Sequence, residues 1–473
     1  MVWLHCFGYG NESFGAYVLE FHTAGYVLSP LRSACSCSRH RVHDRAVTHA
    51  RRTPLVLLEA STLLSSTGNG VTTVALPWLV LERTGSPTAA GVVAAATALP
   101  LLAGSLLAGT LVDALGRRRV AWLADAASAL SAAAIPLVDA TAGLTVPVLV
   151  ALAVLGALFD PAGLTARETL LPAAADAARW RLIRVNGLHE AVFGLAYVVG
   201  PGVGGVLIAA VGAPGTLWAS AAAFAISVGL VACVRVTGGG RPPRRPRGVW
   251  RATGEGLRFV WRDRLLRTLA LLNVAIAALY LPVEGVILPA QFVADATPER
   301  LGLVVMAMSA GGLAGALGFG IVGHRLHRRA AFVTAVLGSC TALLPMAALP
   351  SFPVLVALAA VVGVLYGPVG PLVNTAMQIR TPERLRGRVV GVMTSVAYAA
   401  GPAGYLVAGP LVEAFGPRGA FLAMASTLLA VVLVVVPTRA LRELDAPAPC
   451  PPAPVRPIPV PGFPPGTSPP EGT

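Results

Sequence analysis

The stretch GTLVDALGRRR, residues 109–119, sets one aspartate and three arginines between two long apolar runs, in a chain that is 55% hydrophobic and only 12% charged. Reading outward from it, runs of the same kind recur on both sides. A helix needs about 20 mainly apolar residues to cross the hydrocarbon core of a bilayer. Twelve runs of that order are present, at approximately 55–82, 88–112, 120–138, 146–166, 186–210, 214–236, 265–291, 299–323, 330–349, 353–378, 388–413 and 418–437. Stretches such as VPVLVALAVLGALF, residues 146–159, are apolar on every face. A membrane β-barrel alternates apolar and polar positions instead, so the expectation is an all-α integral membrane protein.

The net charge of +14 raises the question of a nucleic-acid partner, and the placement of the charge answers it. The 36 basic residues are all arginine, and they gather in alternate loops: at Arg117–Arg119, between spans 4 and 5, in the central linker, at Arg325–Arg329 and at Arg380–Arg388. The opposite loops hold only Arg83, Arg300 and Arg418. Short loops rich in arginine stay on the cytoplasmic side. The basic balance therefore reads as topology, with both termini cytoplasmic in a multi-pass protein of a bacterial plasma membrane. No nucleic acid is expected as a partner.

Composition divides the chain further. Residues 1–52 form an extension with scattered His, Cys and Arg and no signal-peptide pattern, expected to be disordered or the product of a misplaced start, with Val47 a candidate true start. Residues 53–236 and 265–437 are two six-helix bundles, 237–264 is a Gly/Pro/Arg cytoplasmic linker, and 438–473 is a Pro-rich tail expected to be disordered. The bundles echo each other. VALPWLVLERTGSPTAAGV at 74–92 aligns with VILPAQFVADATPERLGLV at 286–304, and VVGPGVGG at 198–205 with AAGPAGYLVAG at 399–409. Repeated halves around a linker are a common plan for secondary transporters, with the substrate site between the halves. The six cysteines match no zinc, haem or disulfide spacing, so neither a metal nor a cofactor is expected.

The opening stretch has the spacing G-x-L-x-D-x-x-G-R-R-R, which resembles the signature loop between helices 2 and 3 of the major facilitator superfamily. A degenerate copy, GIVGHRLHRRA at 320–330, puts His324 and His327 where the first has Asp113 and Gly116. Residues 200–205, GPGVGG, resemble the fifth-helix antiporter motif of drug exporters through Gly200, Pro201, Gly204 and Gly205. SSTGNGVTTVALPWLV, FDPAGLTARETLLP, VNGLHEAVFGLAYVVGPGVGG and TPERLRGRVVGV narrow the resemblance to the branch containing the enterobactin exporter and macrolide-efflux proteins. The resemblance implies the major facilitator fold, twelve helices in two pseudo-symmetric bundles. It implies a gate made by Gly109, Asp113, Gly116, Arg117 and Arg118, with Asp160, placed near the inner end of span 4, as the second partner of Arg117. The position after Gly68, often aspartate in that branch, is Asn69 here and carries no proton.

Ionisable groups inside spans are costly and need a partner or a task. Glu59, Asp125, Asp160 and Glu190 sit toward the arginine-rich end, where structural pairing accounts for most such residues. Glu284, in YLPVEGVILP, has no arginine near it in sequence and is the candidate proton carrier. Asn69, Trp78, Asn273, Tyr280, Asn374 and Tyr398 are candidate pocket residues. The function expected is export of an amphipathic small molecule by alternating access, in exchange for protons, by a monomer in the lipid bilayer. A facilitator or importer, or a transport-dead sensor, is the alternative. An enzyme is not expected, because no nucleophile–base pair or HExxH motif is present.

Overall fold

A bilayer offers the backbone no hydrogen-bond partners, so apolar segments must satisfy their own N–H and C=O groups as helices. The protein is described by a computed structural model covering residues 17–22, 25–30, 51–235, 249–382 and 385–445. Residues 1–50 form a unit of their own, in which Tyr17–His22 (β1) pairs antiparallel with Gly25–Pro30 (β2). The rest of that extension, with Val47, lies outside the described residues, as do residues 236–248 and the tail beyond Asp445.

The first bundle comprises α1 (Thr53–Thr84), α2 (Pro87–Leu115), α3 (Arg117–Thr141), α4 (Val146–Leu158), α5 (Asp160–Ala178) and α6 (Leu182–Cys233). Next come α7 (Val249–Arg262), α8 (Arg264–Pro282), a π-helical turn at Val283–Ile287, α9 (Leu288–Ala294) and α10 (Pro298–Val322). The second bundle closes with α11 (Arg328–Ala347), α12 (Phe352–Tyr366), α13 (Val369–Arg380) and α14 (Arg386–Val435), before a short α15 (Arg439–Arg442).

Length shows how these helices become crossings. The 52 residues of α6 would extend about 78 Å as one rod, against a hydrocarbon core of about 30 Å. Two helices meet instead across a kink at Gly212, at φ 74° and ψ 169°, two residues before Pro214. In the other half α14 is kinked in the same way at Gly416, at φ 70° and ψ 169°, one residue before Pro417. Positive φ favours glycine at both points. Among the described residues eight helices are long and apolar enough to cross a membrane. Counting the two kinked helices twice and adding α1 and α2 gives the twelve spans expected from the sequence.

The halves match in a second detail. Span 4 is interrupted at Phe159 between α4 and α5, and its counterpart, span 10, at Gly367–Pro368 between α12 and α13. Two boundaries differ from expectation. Span 4 does not end near residue 166: α5 continues to Ala178, because Arg167 and Glu168 lie within a helix and do not begin a loop. The linker is helical from Val249, where α7 buries Val260, exposes Leu257 and Trp261, and is tied to the start of α14 by the Glu255–Arg388 ion pair.

Candidate functional site

A cavity of about 460 Å³ lies between the bundles. The first bundle lines it with Ser65, Asn69, Asp125, Ser128, Asp160, Arg167, Phe193 and Tyr197, and the second with Leu281, Glu284, Gly285, Leu301, Val305 and Tyr405. Apolar and aromatic walls with a few placed polar groups are what a small amphipathic molecule requires.

The polar wall is built by the antiparallel pairing of α3 with α4 and α5. Asp125, Ser128 and Ser131 follow at intervals of three, so they share one face of α3. Arg167 Nη2 donates to both oxygens of Asp125 at 2.5 Å, and both side chains are buried. Ser65 from α1 and Ser227 from α6 donate to the same carboxylate at 2.9 and 2.6 Å, so four helices meet on Asp125. Ser128 donates to Asp160 at 3.0 Å, and Ser131 to the Leu152 carbonyl at 2.6 Å.

This ladder corrects the expected role of Asp160. Its partner Ser128 stands eleven residues beyond Arg117 on α3, about 16 Å along the helix axis at about 1.5 Å per residue. That span is beyond the reach of an arginine side chain. Asp160 faces the cavity, deep in the span, while Arg117 donates to the Thr169 carbonyl at 3.1 Å and Arg118 to the Val234 carbonyl at 3.3 Å. Gly116 turns the chain between α2 and α3 at φ 90°, which explains the glycine of the motif. Its counterpart His327 has φ −65° and needs no glycine. The Asp113 side chain and Gly109 beyond its place in α2 lie outside the described residues, as does the Tyr398 side chain.

The second bundle contributes Glu284, which sits in the π-helical turn that interrupts span 7. Such turns insert one residue into a helix and are frequent at functional sites. Tyr280, one turn earlier, stacks on Tyr366 with ring centroids 5.8 Å apart. A side chain at Gly285 would meet the Tyr405 ring at 2.8 Å, so the glycine admits that ring beside the acid.

The remaining candidates separate clearly. Asn69 lines the cavity, whereas Trp78 is buried in the core, and Asn273, Tyr280 and Asn374 do not line it. Glu59 pairs with His189 at 3.2 Å, and Glu190 is exposed. Arg167 was not singled out from the sequence, nor were Ser65, Ser128 and Ser227. The signal for Ser128 and Arg167 was the three-residue spacing on α3 and a charge on a helix that outlasts its apolar run; Ser65 on α1 and Ser227 on α6 carried none.

The bundles meet closely at the arginine-poor end. There Ser86 Oγ and the Thr88 N–H donate to Glu413 at 2.8 and 3.1 Å. A Cβ at Gly409 would come within 2.6 Å of Thr88 Cα, and one at Gly91 within 2.4 Å of the Tyr405 carbonyl oxygen. The fifth-helix motif forms the other seam. Gly200 abuts Gly70 of α1, and on the opposite face Gly205 abuts Gly302 and the Pro298 carbonyl of α10. Glu413→Ala removes both hydrogen bonds of the first seam. A cysteine placed at Asn69 is then expected to react faster with an impermeant maleimide applied from the arginine-poor side; an unchanged rate would show that Glu413 is not part of the seal.

Residues 50–460 match the transmembrane secretion effector family. The chain belongs to this family of major facilitator transporters. It is 48% identical over 402 residues to the multidrug efflux pump Tap of Mycobacterium tuberculosis H37Rv, covering 84% of this chain and 96% of that protein. The Mycolicibacterium fortuitum Tap is 47% identical over 404 residues, covering 84% of this chain and 99% of that one. The enterobactin exporter EntS of Shigella flexneri is 26% identical over 387 residues, covering 79% of this chain and 90% of that protein. A crystal structure of a mutant nucleoside transporter NupG superposes with a TM-score of 0.68 at 12% identity, covering 83% of this chain and 99% of that one, and so supports the fold alone. The chain is thus a multi-pass membrane transporter of the secretion effector family.

Proposed function

We propose that this chain exports an amphipathic small molecule across a bacterial plasma membrane by alternating access, in exchange for protons, as a monomer with both termini in the cytoplasm. The observation that carries the reading is the cavity between the bundles, with an acid from each half in its walls and a seam at the arginine-poor end. The positive-inside distribution of arginine makes that end the outer one, so this conformation faces inward. Loading from the cytoplasmic side is the first step of export. In this reading Arg117 and Arg118 bond carbonyls of their own half now, and the loop at 109–119 latches the inner ends when the outer seam opens. The Tap pumps extend the reading to drugs.

Glu284 is proposed to exchange a proton with the outer medium, because it sits in the cavity wall and makes no ion pair among the described residues. Glu284→Gln is expected to abolish cargo-driven proton movement while the protein remains in the membrane; unchanged efflux and unchanged proton flux would reject the assignment. A drug-susceptibility panel in a pump-deficient host identifies the cargo. Adding that cargo to inverted vesicles is then expected to move protons, and transport without any pH change would reject antiport. Asn69 favours one rival, an uncoupled facilitator, because it lines the cavity at the position where related exporters often carry an acid.

A further inference from the structure

The wall formed by α3 and α5 holds two carboxylates and one guanidinium. Asp125 is fully engaged: Arg167 reaches both of its oxygens, and Ser65 and Ser227 donate to one each. Among the described residues Asp160 accepts a side-chain hydrogen bond only from Ser128, a hydroxyl that also lies within 3.3 Å of the Gly156 carbonyl and 3.2 Å of the Ala124 carbonyl. Arg167 keeps its Nε buried without a partner, so the guanidinium is committed to Asp125 through Nη2 alone. The charged groups facing Asp160 are Asp125 from α3 and Arg167 from α5. From α1 the cavity wall adds Ser65 and Asn69, from α6 Phe193 and Tyr197, and across the cavity stands Glu284. In this wall the Asp125–Arg167 pair leaves one acidic group over, Asp160 at the break in span 4. A lone carboxylate in a cavity with apolar walls is held only if a cation can reach it.

We propose that Asp160 is a second proton-exchange residue of the cavity, and that Arg167 is a positioning residue that keeps Asp125 occupied in an ion pair. The step is simple in its balance: a proton from water forms one O–H bond on the Asp160 carboxylate, and its departure returns that proton to water. Each half then carries one exchangeable acid, Asp160 in the first and Glu284 in the second. This rests on the proton-antiport reading and adds to it the site in the first half.

Dicyclohexylcarbodiimide, a membrane-permeant reagent that modifies protonated carboxyls in apolar settings, provides the test on the purified full-length protein. Mass spectrometry is expected to find the adduct on Asp160 and not on Asp125, with labelling lost as the pH is raised. An adduct on Asp125 with none on Asp160, or no adduct on Asp160 at any pH, would overturn the proposal. In vesicles, Asp160→Asn is expected to lose cargo-driven proton movement by this route yet retain cargo counterflow, which needs no net proton transfer, and Asp160→Glu to regain it. Wild-type vesicles that move no protons would instead defeat the antiport reading. Wild-type vesicles that do, with Asp160→Asn unchanged, would defeat this proposal alone.

Discussion

Arg167→Met is expected to destabilise the first bundle by about 3–5 kcal/mol, the range found when one member of a buried ion pair is removed. The reason is the fate of Asp125. Its side chain is 3% exposed, and without Arg167 it keeps only the Ser65 and Ser227 hydroxyls. A buried carboxylate so placed must either remain charged without a counter-ion or take up a proton. Because the carboxylate joins α1, α3, α5 and α6, the loss should spread through the whole bundle. The measurement is thermal unfolding in detergent, and the control is the double replacement Asp125→Leu with Arg167→Met. Replacing both partners by apolar groups is expected to restore most of the stability, since no unpaired charge remains. If the single variant melts like wild type, the network does not hold the bundle together.

Gly205→Val and Gly200→Val are expected to fail in different ways, although both residues lie in one short motif. A Cβ at Gly200 would stand 2.8 Å from Gly70 Cα, inside the first bundle, and one at Gly205 2.6 Å from the Pro298 carbonyl oxygen, across the seam to the second. Neither neighbour is the end of a flexible side chain. Overpacking typically costs about 1–3 kcal/mol, and backbone contacts of this kind leave little room to relax. Gly200→Val should therefore lower the melting temperature and the yield. Gly205→Val should leave each bundle folded but force the halves apart, abolishing transport at near-normal yield. Expression, thermal unfolding and efflux measured on the same preparations separate the two outcomes, and equal losses in both variants would mean that the motif serves packing alone.

Much of this architecture could be read before any coordinates, and the places where reading stopped have physical causes. Twelve apolar runs and their alternating arginines carried the fold, because backbone satisfaction in lipid leaves few alternatives to helices. Gly116 and the GPGVGG motif were legible as motifs, and geometry supplied their reasons: a positive φ in one case, backbone approach on two faces in the other. Asp160 was misplaced because charge was taken to mark the end of span 4. Arg167 and Glu168 look like the start of a loop, yet α5 carries them a further three turns to Ala178. The same error concealed Arg167, whose partner Asp125 lies 42 residues away in sequence. Asn69 and Glu284 line the cavity, whereas Trp78 is core and Asn374 stands away from it.

The central claim is that the two bundles rock about the cavity, opening and closing the arginine-poor end in every cycle. Ser86 and Glu413 face each other across that seam, with Ser86 Oγ 2.8 Å from the carboxylate. Cysteines at these two positions, in an otherwise cysteine-free protein, place a reversible lock on it. Oxidation is expected to stop efflux in membrane vesicles and reduction to restore it. Efflux at the full rate with the cross-link shown to be complete would contradict the account.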